Sequence, residues 1–238
     1  MNGCPRRSMK RRDHLVRGAL VVCVVGFSGF IVPAMWLYPG GTWWDSTTRG
    51  YRFWENFLCD LEWRVALNGQ PNHGASYLAQ AAMLILAIAF IPFWIAVTRL
   101  FDRPRLTVVV RSFGLASVVG IVAVVLIPSD RFGILHGIAV VVAGLPGLSA
   151  AGLAVAGLLL GEPRPRIAGW TGASMLGFAF TDFALYVSQL IAHTDGTWLT
   201  AAAQKVALLL LLAWMIMVAV RSQGSLRSAV KIASEPGS

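Results

Sequence analysis

The sequence predicts an all-α membrane protein with six transmembrane helices in a single bundle. Its 238 residues are 56% hydrophobic and only 13% charged, and its mean hydropathy is +0.66, which leaves too little polar surface for a water-soluble globule. A helix needs about 20 mostly apolar residues to cross a hydrocarbon core roughly 30 Å thick. The six runs of that length are Gly18 to Tyr38, Ser76 to Val97, Thr107 to Ile127, Phe132 to Leu160, Ile167 to Ala192 and Trp198 to Val220.

The connections between these runs are short, apart from the first, so we expect one helical domain and no separate soluble domain. Residues 1–17 form a basic tail, residues 18–220 the membrane domain, and residues 221–238 a second tail that we expect to be disordered. The first apolar run is longer than the roughly 7 to 15 residues of a signal-peptide core. We therefore expect the first helix to remain as a membrane anchor.

The first connection, residues 39–75, is the longest and carries most of the polar complexity. Between Arg52 and Leu67, apolar residues recur at steps of three and four, which predicts a short amphipathic helix that lies in the interface or re-enters the membrane. Asn56, Asp60 and Arg64 follow one another at steps of four. They would form a polar stripe along that helix.

Positive charges are concentrated on one side of the predicted bundle. The opposite side, which includes the long first connection, carries only Arg49, Arg52, Arg64 and Arg131. By the positive-inside rule, both termini are cytoplasmic and the first connection faces outward. We therefore expect a multi-pass protein of the cell inner (plasma) membrane. The net charge of +9 then reflects this orientation and contact with anionic lipid headgroups, and we expect no nucleic-acid partner.

Two ionisable residues lie inside apolar runs, where burying a charge is costly and marks either a structural pair or a functional interior. Asp182 lies ten residues before the outer end of the fifth run, a depth of about 15 Å. Lys205 lies seven residues into the sixth run from the same side, a depth of about 10 Å. Because the connection between these runs is short, the two side chains can meet. They form either an ion pair that fixes the helix register or part of an outward-facing polar pocket.

Three histidines fall at the predicted outer ends of helices: His73, His136 and His193. Together with a carboxylate such as Asp60 or Asp130, three imidazoles can hold zinc and activate a water molecule for hydrolysis. None of these histidines belongs to a closely spaced pair such as His-x-x-x-His, and polar aromatic residues are common at helix ends. These two observations argue against a metal site, so no cofactor is predicted, and zinc at the three histidines is kept as an alternative.

Several short motifs stand out in the loops and at the helix ends: Tyr38-Pro39-Gly40-Gly41, the run Glu55-Asn56-Phe57-Leu58-Cys59-Asp60-Leu61, Asn68-Gly69, and Pro128-Ser129-Asp130 followed by His136-Gly137. They resemble the motifs of an uncharacterised family of six-helix prokaryotic membrane proteins related to the Frag and DRAM/Sfk group. Cys59 stands where this family usually has Ser, and Glu62 where it usually has Gly. The resemblance implies a six-helix bundle with Asn56, Asp60, Asp130 and His136 near the outer surface. Because eukaryotic relatives are associated with lipid remodelling and membrane asymmetry, it also implies lipid handling.

Three functional hypotheses follow. The first is a protein that interacts with membrane lipids through an outward-facing polar pocket, with the candidate residues Asn56, Asp60, Asp130, His136, Asp182 and Lys205. The second is a membrane-embedded, metal-dependent hydrolase that uses the three histidines. The third is a structural or accessory subunit that packs against a membrane protein partner or forms a homo-oligomer. Lipid interaction is ranked first because it requires the fewest unobserved parts.

Overall fold

The computed structural model describes residues 5–161, 165–194 and 197–221 and is all-helical in these ranges apart from its turns and loops. Six of its helices are long and apolar enough to cross a membrane. This confirms the predicted six-helix fold and identifies the chain as an integral membrane protein. The helices are α1 (Pro5–Leu37), α2 (His73–Val97), α3 (Pro104–Leu126), α4 (Ser129–Phe132), α5 (Ile134–Leu160), α6 (Arg166–Ala192) and α7 (Trp198–Arg221).

The structure describes most of the predicted N-terminal tail but not the predicted C-terminal tail. Most of the predicted basic tail is helical, because α1 begins at Pro5 and its membrane-spanning part only at His14. Lysine, arginine and methionine are good helix formers, so the helix continues out of the apolar run into the basic segment. The predicted C-terminal tail, from residue 222 onward, lies outside the described residues.

Helix α2 occupies the centre of the bundle. It packs against α1 and α3, and it also touches α7. The remaining principal pairs are α3 with α5, α5 with α6, and α6 with α7, while α1 also contacts α7. Phe93 of α2 meets Trp214 of α7 edge-on, with ring centroids 5.0 Å apart. The bundle thus closes around a fully buried aromatic contact.

The long connection after α1, residues 38–72, folds over one end of the bundle, and we call it the loop cap. Its chain reverses at Gly40 and Gly41, whose φ angles are 136° and 89°, values that favour glycine. A side chain at Gly41 would also overlap the backbone at Asn68. The beginning and the end of the loop cap are joined where the hydroxyl of Tyr38 accepts a hydrogen bond from the backbone nitrogen of Leu67 at 3.2 Å.

The prediction of an amphipathic helix over residues 52–67 is wrong, because the helical part of this segment is much shorter. Only a single 3-10 turn is present, at Cys59–Glu62. The side chain of Asn56 accepts a hydrogen bond from the backbone of Arg52, and Asp60 accepts one from the backbone of Phe57. Such side-chain bonds to the backbone compete with helical bonding, so the segment forms successive turns and not a continuous helix.

Two helix backbones approach each other closely at Gly120 of α3. A methyl group at this position would lie 2.5 Å from Cα of Ala143 in α5. Small residues allow membrane helices to approach this closely, because bundles in lipid are held by packing and not by a hydrophobic driving force.

We expect Gly120→Ala to destabilise the protein by about 1–3 kcal/mol, because α3 and α5 must separate to admit the methyl group. Thermal unfolding in detergent should show a lower midpoint. Gly29→Ala is the matched control, since nothing lies within 4 Å of the added methyl group in α1. Equal midpoints for the two variants would contradict the assigned α3–α5 contact.

Candidate functional site

The most deeply buried cation of the described chain is Lys205, on α7 at the end of the bundle that the loop cap covers. Its side chain is 0% exposed. The ammonium group donates to the carbonyl oxygen of Asn56 at 2.6 Å and to Oε1 of Gln204 at 3.4 Å. It also lies 5.5 Å from the ring centroid of Tyr51, within range of a cation–π interaction. Lys205 therefore holds the loop cap on α7.

Gln204 strengthens the same attachment. Its Oε1 accepts a hydrogen bond from the backbone nitrogen of Leu58 at 2.9 Å. Two consecutive residues of α7 thus contact the loop cap, one through a carbonyl oxygen and one through a backbone N–H. This fixes the position of the 3-10 turn that begins at Cys59.

Asp60 is the anionic partner within the loop cap, and its side chain is 2% exposed. Its carboxylate accepts hydrogen bonds from Asn56 Nδ2 at 3.1 Å, from the backbone of Phe57 at 2.8 Å and from Trp43 Nε1 at 3.1 Å. Burial raises the pKa of Asp60 to about 6, although these donors and the charge of Lys205 lower it. Asn56, Asp60 and Lys205, three of the predicted pocket residues, therefore form one connected cluster.

Asp182, the second predicted intramembrane charge, lies on α6 near this cluster but does not contact Lys205 directly. Among the described residues, its carboxyl group forms no hydrogen bond or ion pair, and its side chain is only partly buried. The predicted contact between Asp182 and Lys205 is thus not formed, because the ammonium group reaches the carbonyl of Asn56 instead.

Cys59 and Glu62 are two further ionisable residues of the 3-10 turn. Burial raises the pKa of the Cys59 thiol, the charges of Glu62, Asp60 and Asp182 raise it further, and Lys205 opposes them. Glu62 is 2% exposed and its Oε2 has no hydrogen-bond partner in the described chain. Burial, together with the charge of Asp130, raises the pKa of Glu62 to about 8. Glu62 is therefore mostly protonated at pH 7.

Asp130 and His136, also predicted for the pocket, lie outside the Lys205 cluster, at α4 and the start of α5. Asp130 Oδ2 accepts a hydrogen bond from the backbone nitrogen of Arg64 at 3.1 Å, and its neighbour Ser129 accepts one from Trp63 Nε1 at 2.6 Å. Nδ1 of His136 is 2.7 Å from the carbonyl oxygen of Ile127. Asp130 thus anchors the loop cap on α4, whereas His136 joins the end of α3 to the start of α5.

The three histidines of the zinc hypothesis lie at the ends of three different helices. His73 is the exposed first residue of α2, His136 is buried at the start of α5, and His193 ends α6 in a left-handed conformation with φ 52°. In the part of the chain that the structure describes, no three His, Cys, Asp or Glu side chains are grouped to hold a metal ion. The zinc site stays a prediction that metal analysis would test.

Sequence reasoning missed the roles of Tyr51 and Glu62. Tyr51 donates its hydroxyl to the carbonyl oxygens of Asn56 and Phe57, both at 3.2 Å, and its ring faces Lys205. Nothing in the helical periodicity distinguishes it from an interfacial tyrosine. Glu62 was recognisable as an acidic residue between the apolar Leu61 and Trp63, but its burial depends on how the turn packs on α2.

We expect Lys205→Met to loosen the loop cap, because the variant loses a charged hydrogen bond and leaves Asp60 without its cation. A charged hydrogen bond contributes about 1.5–3 kcal/mol, so cleavage in the opened loop should be about 10- to 100-fold faster. The measurement is the rate of trypsin cleavage at Arg49, Arg52 and Arg64. Thr181→Val, at an exposed position of α6, is the control. Unchanged cleavage in Lys205→Met would contradict the anchoring role.

We expect the stability gained by Glu62→Gln to increase with pH. In the folded protein the pKa of Glu62 is raised to about 8 from 4.5. Between these two values the unfolded chain ionises Glu62 more readily than the folded protein does, so the wild-type free energy of unfolding falls as the pH rises and reaches its lower value above the folded-state pKa. The glutamine variant lacks this loss. Thermal midpoints at pH 5 and pH 9 would measure it, with Glu55→Gln as the control in the same loop. A stability difference independent of pH would contradict the burial of an ionisable Glu62.

Comparison with known proteins adds no relative to this description. No family model, curated protein or solved structure matches the chain. The resemblance of its short motifs to the Frag and DRAM/Sfk group therefore stays a prediction. What is established is the class of the molecule, an integral membrane protein with six apolar helices.

Proposed function

We propose that this membrane protein binds the polar headgroup of a membrane lipid beside Asp182, at the end of the bundle covered by the loop cap. The observation that carries the proposal is the state of Asp182. This carboxyl group is partly exposed about 15 Å from the end of α6, and it has no hydrogen-bond or ion-pair partner among the described residues. An acidic group at that depth is costly unless a polar group meets it.

The surroundings of Asp182 favour an occupant from the bilayer. In the most apolar stretch of α6, only 6% of the residues are buried by protein, compared with 28% to 56% in the other five spans. Asp182 is therefore carried by the helix that is most open to lipid. A lipid can approach it laterally, without passing through the loop cap.

The chemistry of the cluster favours a headgroup that donates hydrogen bonds, such as an amine or a hydroxyl. Lys205 donates to Asn56 and Gln204 and not to Asp182, so it supplies a positive field near Asp182 without occupying that carboxylate. Tyr186 follows Asp182 by four residues and lies beside it on α6. The Gln189 amide donates to Thr200 at 2.8 Å, which leaves the Asp182 carboxylate and the Tyr186 hydroxyl to contact the ligand.

The orientation and location of the protein belong to the same proposal. With an even number of spans, the start of the first span and the end of the last span lie on the same side of the membrane, opposite the loop cap. The excess of arginine and lysine on the side of the termini supports a cytoplasmic location for them. The lipid site would then lie in the outer leaflet of the plasma membrane.

We expect the protein purified in mild detergent to retain a lipid and Asp182→Asn to release it. Losing a charged hydrogen bond should lower occupancy about tenfold or more. Native mass spectrometry measures the bound lipid, and Thr181→Val is the control from the adjacent position on α6.

Retention of the same lipid by Asp182→Asn would contradict the proposal, as would a wild-type protein that carries no lipid. The latter result would favour a structural subunit whose open α6 packs against a partner. Metal analysis of the same samples, repeated on His136→Ala, tests the hydrolase hypothesis independently.

A further inference from the structure

A cavity of about 130 Å³ lies at the same end of the bundle, where the first turns of α2, the end of α3 and α4 meet. Its walls include Arg64, Arg131, His73, Tyr77, Leu126 and Pro128. Neither Asp182 nor Lys205 contributes to it. The cavity is therefore separate from the surroundings of Asp182 and chemically distinct from them.

Two guanidinium groups at this cavity are available to a ligand. Within residues 5–161, 165–194 and 197–221, the side chains of Arg64 and Arg131 form no hydrogen bond or ion pair. The nearby Asp130 accepts the backbone N–H of Arg64 and so does not engage its guanidinium. Arginine presents planar pairs of donors that match the oxygens of a phosphate group.

The start of α2 adds a third source of positive potential. His73 lines the cavity and is the first residue of the helix. No side chain caps this end. The Asn72 amide nitrogen donates to the carbonyl oxygens of Leu61 and Trp63 at 3.1 and 2.8 Å, and its Oδ1 accepts no hydrogen bond in the described chain. Uncapped N–H groups and the helix dipole favour an anion there.

The remaining walls combine the polar side chains of Ser76 and Gln80 with apolar surface from Tyr77, Val125, Leu126 and Pro128. Leu126, at the end of α3, is 66% exposed, and Tyr77 is 65% exposed. Both lie at the ends of membrane-spanning helices, at the level of the lipid headgroups. A ligand that combines a phosphate with hydrocarbon would therefore contact both kinds of wall.

We infer that this cavity binds a phosphate group through Arg64 and Arg131, and that the group is the phosphodiester of an anionic phospholipid. Arginine is uncommon on this side of the bundle, where only Arg49, Arg52, Arg64 and Arg131 occur. Two of these four line one cavity. The apolar rim distinguishes a phospholipid from free phosphate as the occupant.

The test is a titration of the full-length protein in detergent with phosphatidylglycerol, followed by native mass spectrometry. Arg64→Gln/Arg131→Gln should bind about tenfold or more weakly, since each substitution removes a charged hydrogen bond. Arg49→Gln/Arg52→Gln removes the same charge from exposed positions of the loop cap and should bind like wild type. The single variants Arg64→Gln and Arg131→Gln serve if the double variant does not fold, and each should bind more weakly than wild type.

A second arm identifies the source of the phosphate. Inorganic phosphate at millimolar concentration should not displace the lipid, whereas displacement without preference for lipid would assign the site to free phosphate. Equal weakening by the two double variants would reduce the effect to overall charge and overturn the inference, as would unchanged binding in both. Asp182→Asn should leave this binding intact, which separates the outcome from that of the headgroup site beside Asp182.

Discussion

The hydrogen bond from Lys205 to the carbonyl oxygen of Asn56 is the constraint on which the architecture of the loop cap depends. An ammonium group shielded from water must be met by protein dipoles or charges. The 2.6 Å contact supplies a dipole, but only because the chain leaves helical geometry near residue 56 and so frees that carbonyl. The irregular backbone of the loop cap and the buried lysine therefore require each other, and each would be costly alone.

The loop cap also organises two sites of opposite charge. Its 3-10 turn is attached to α7 through Leu58 and Gln204, and the residue after the turn is attached to α4 through Trp63 and Ser129. The turn thus runs from the acidic surroundings of Asp182 towards the basic cavity at Arg64 and Arg131. Because the 3-10 turn is fixed at both ends, a change in either attachment would alter the surroundings of Asp182 and the basic cavity together.

The sequence predicted the helices far better than the site. Runs of apolar residues are long and unambiguous, so their bounds agree closely with the observed spans. The same helical periodicity predicted an amphipathic helix in the first connection, and that prediction is wrong. The side chains of Asn56 and Asp60 accept hydrogen bonds from nearby backbone nitrogens there and so replace helical bonding. The depth of Lys205 was predictable from the helix rise. Its hydrogen-bond partner was not, because no sequence pattern indicates that the carbonyl oxygen of Asn56, on a distant loop, is free to accept.

The two acids of the 3-10 turn explain why Asp182 is the acid left for a ligand. Asp60 has three hydrogen-bond donors and the charge of Lys205 near it, so it is ionised at neutral pH despite a pKa of about 6. Glu62 has no donor to its buried Oε2, and with a pKa of about 8 it is mostly protonated at neutral pH. Lys205 is thus balanced by Asp60 within the loop cap. Asp182 has no comparable partner among the described residues, and it lies on the helix that the protein covers least.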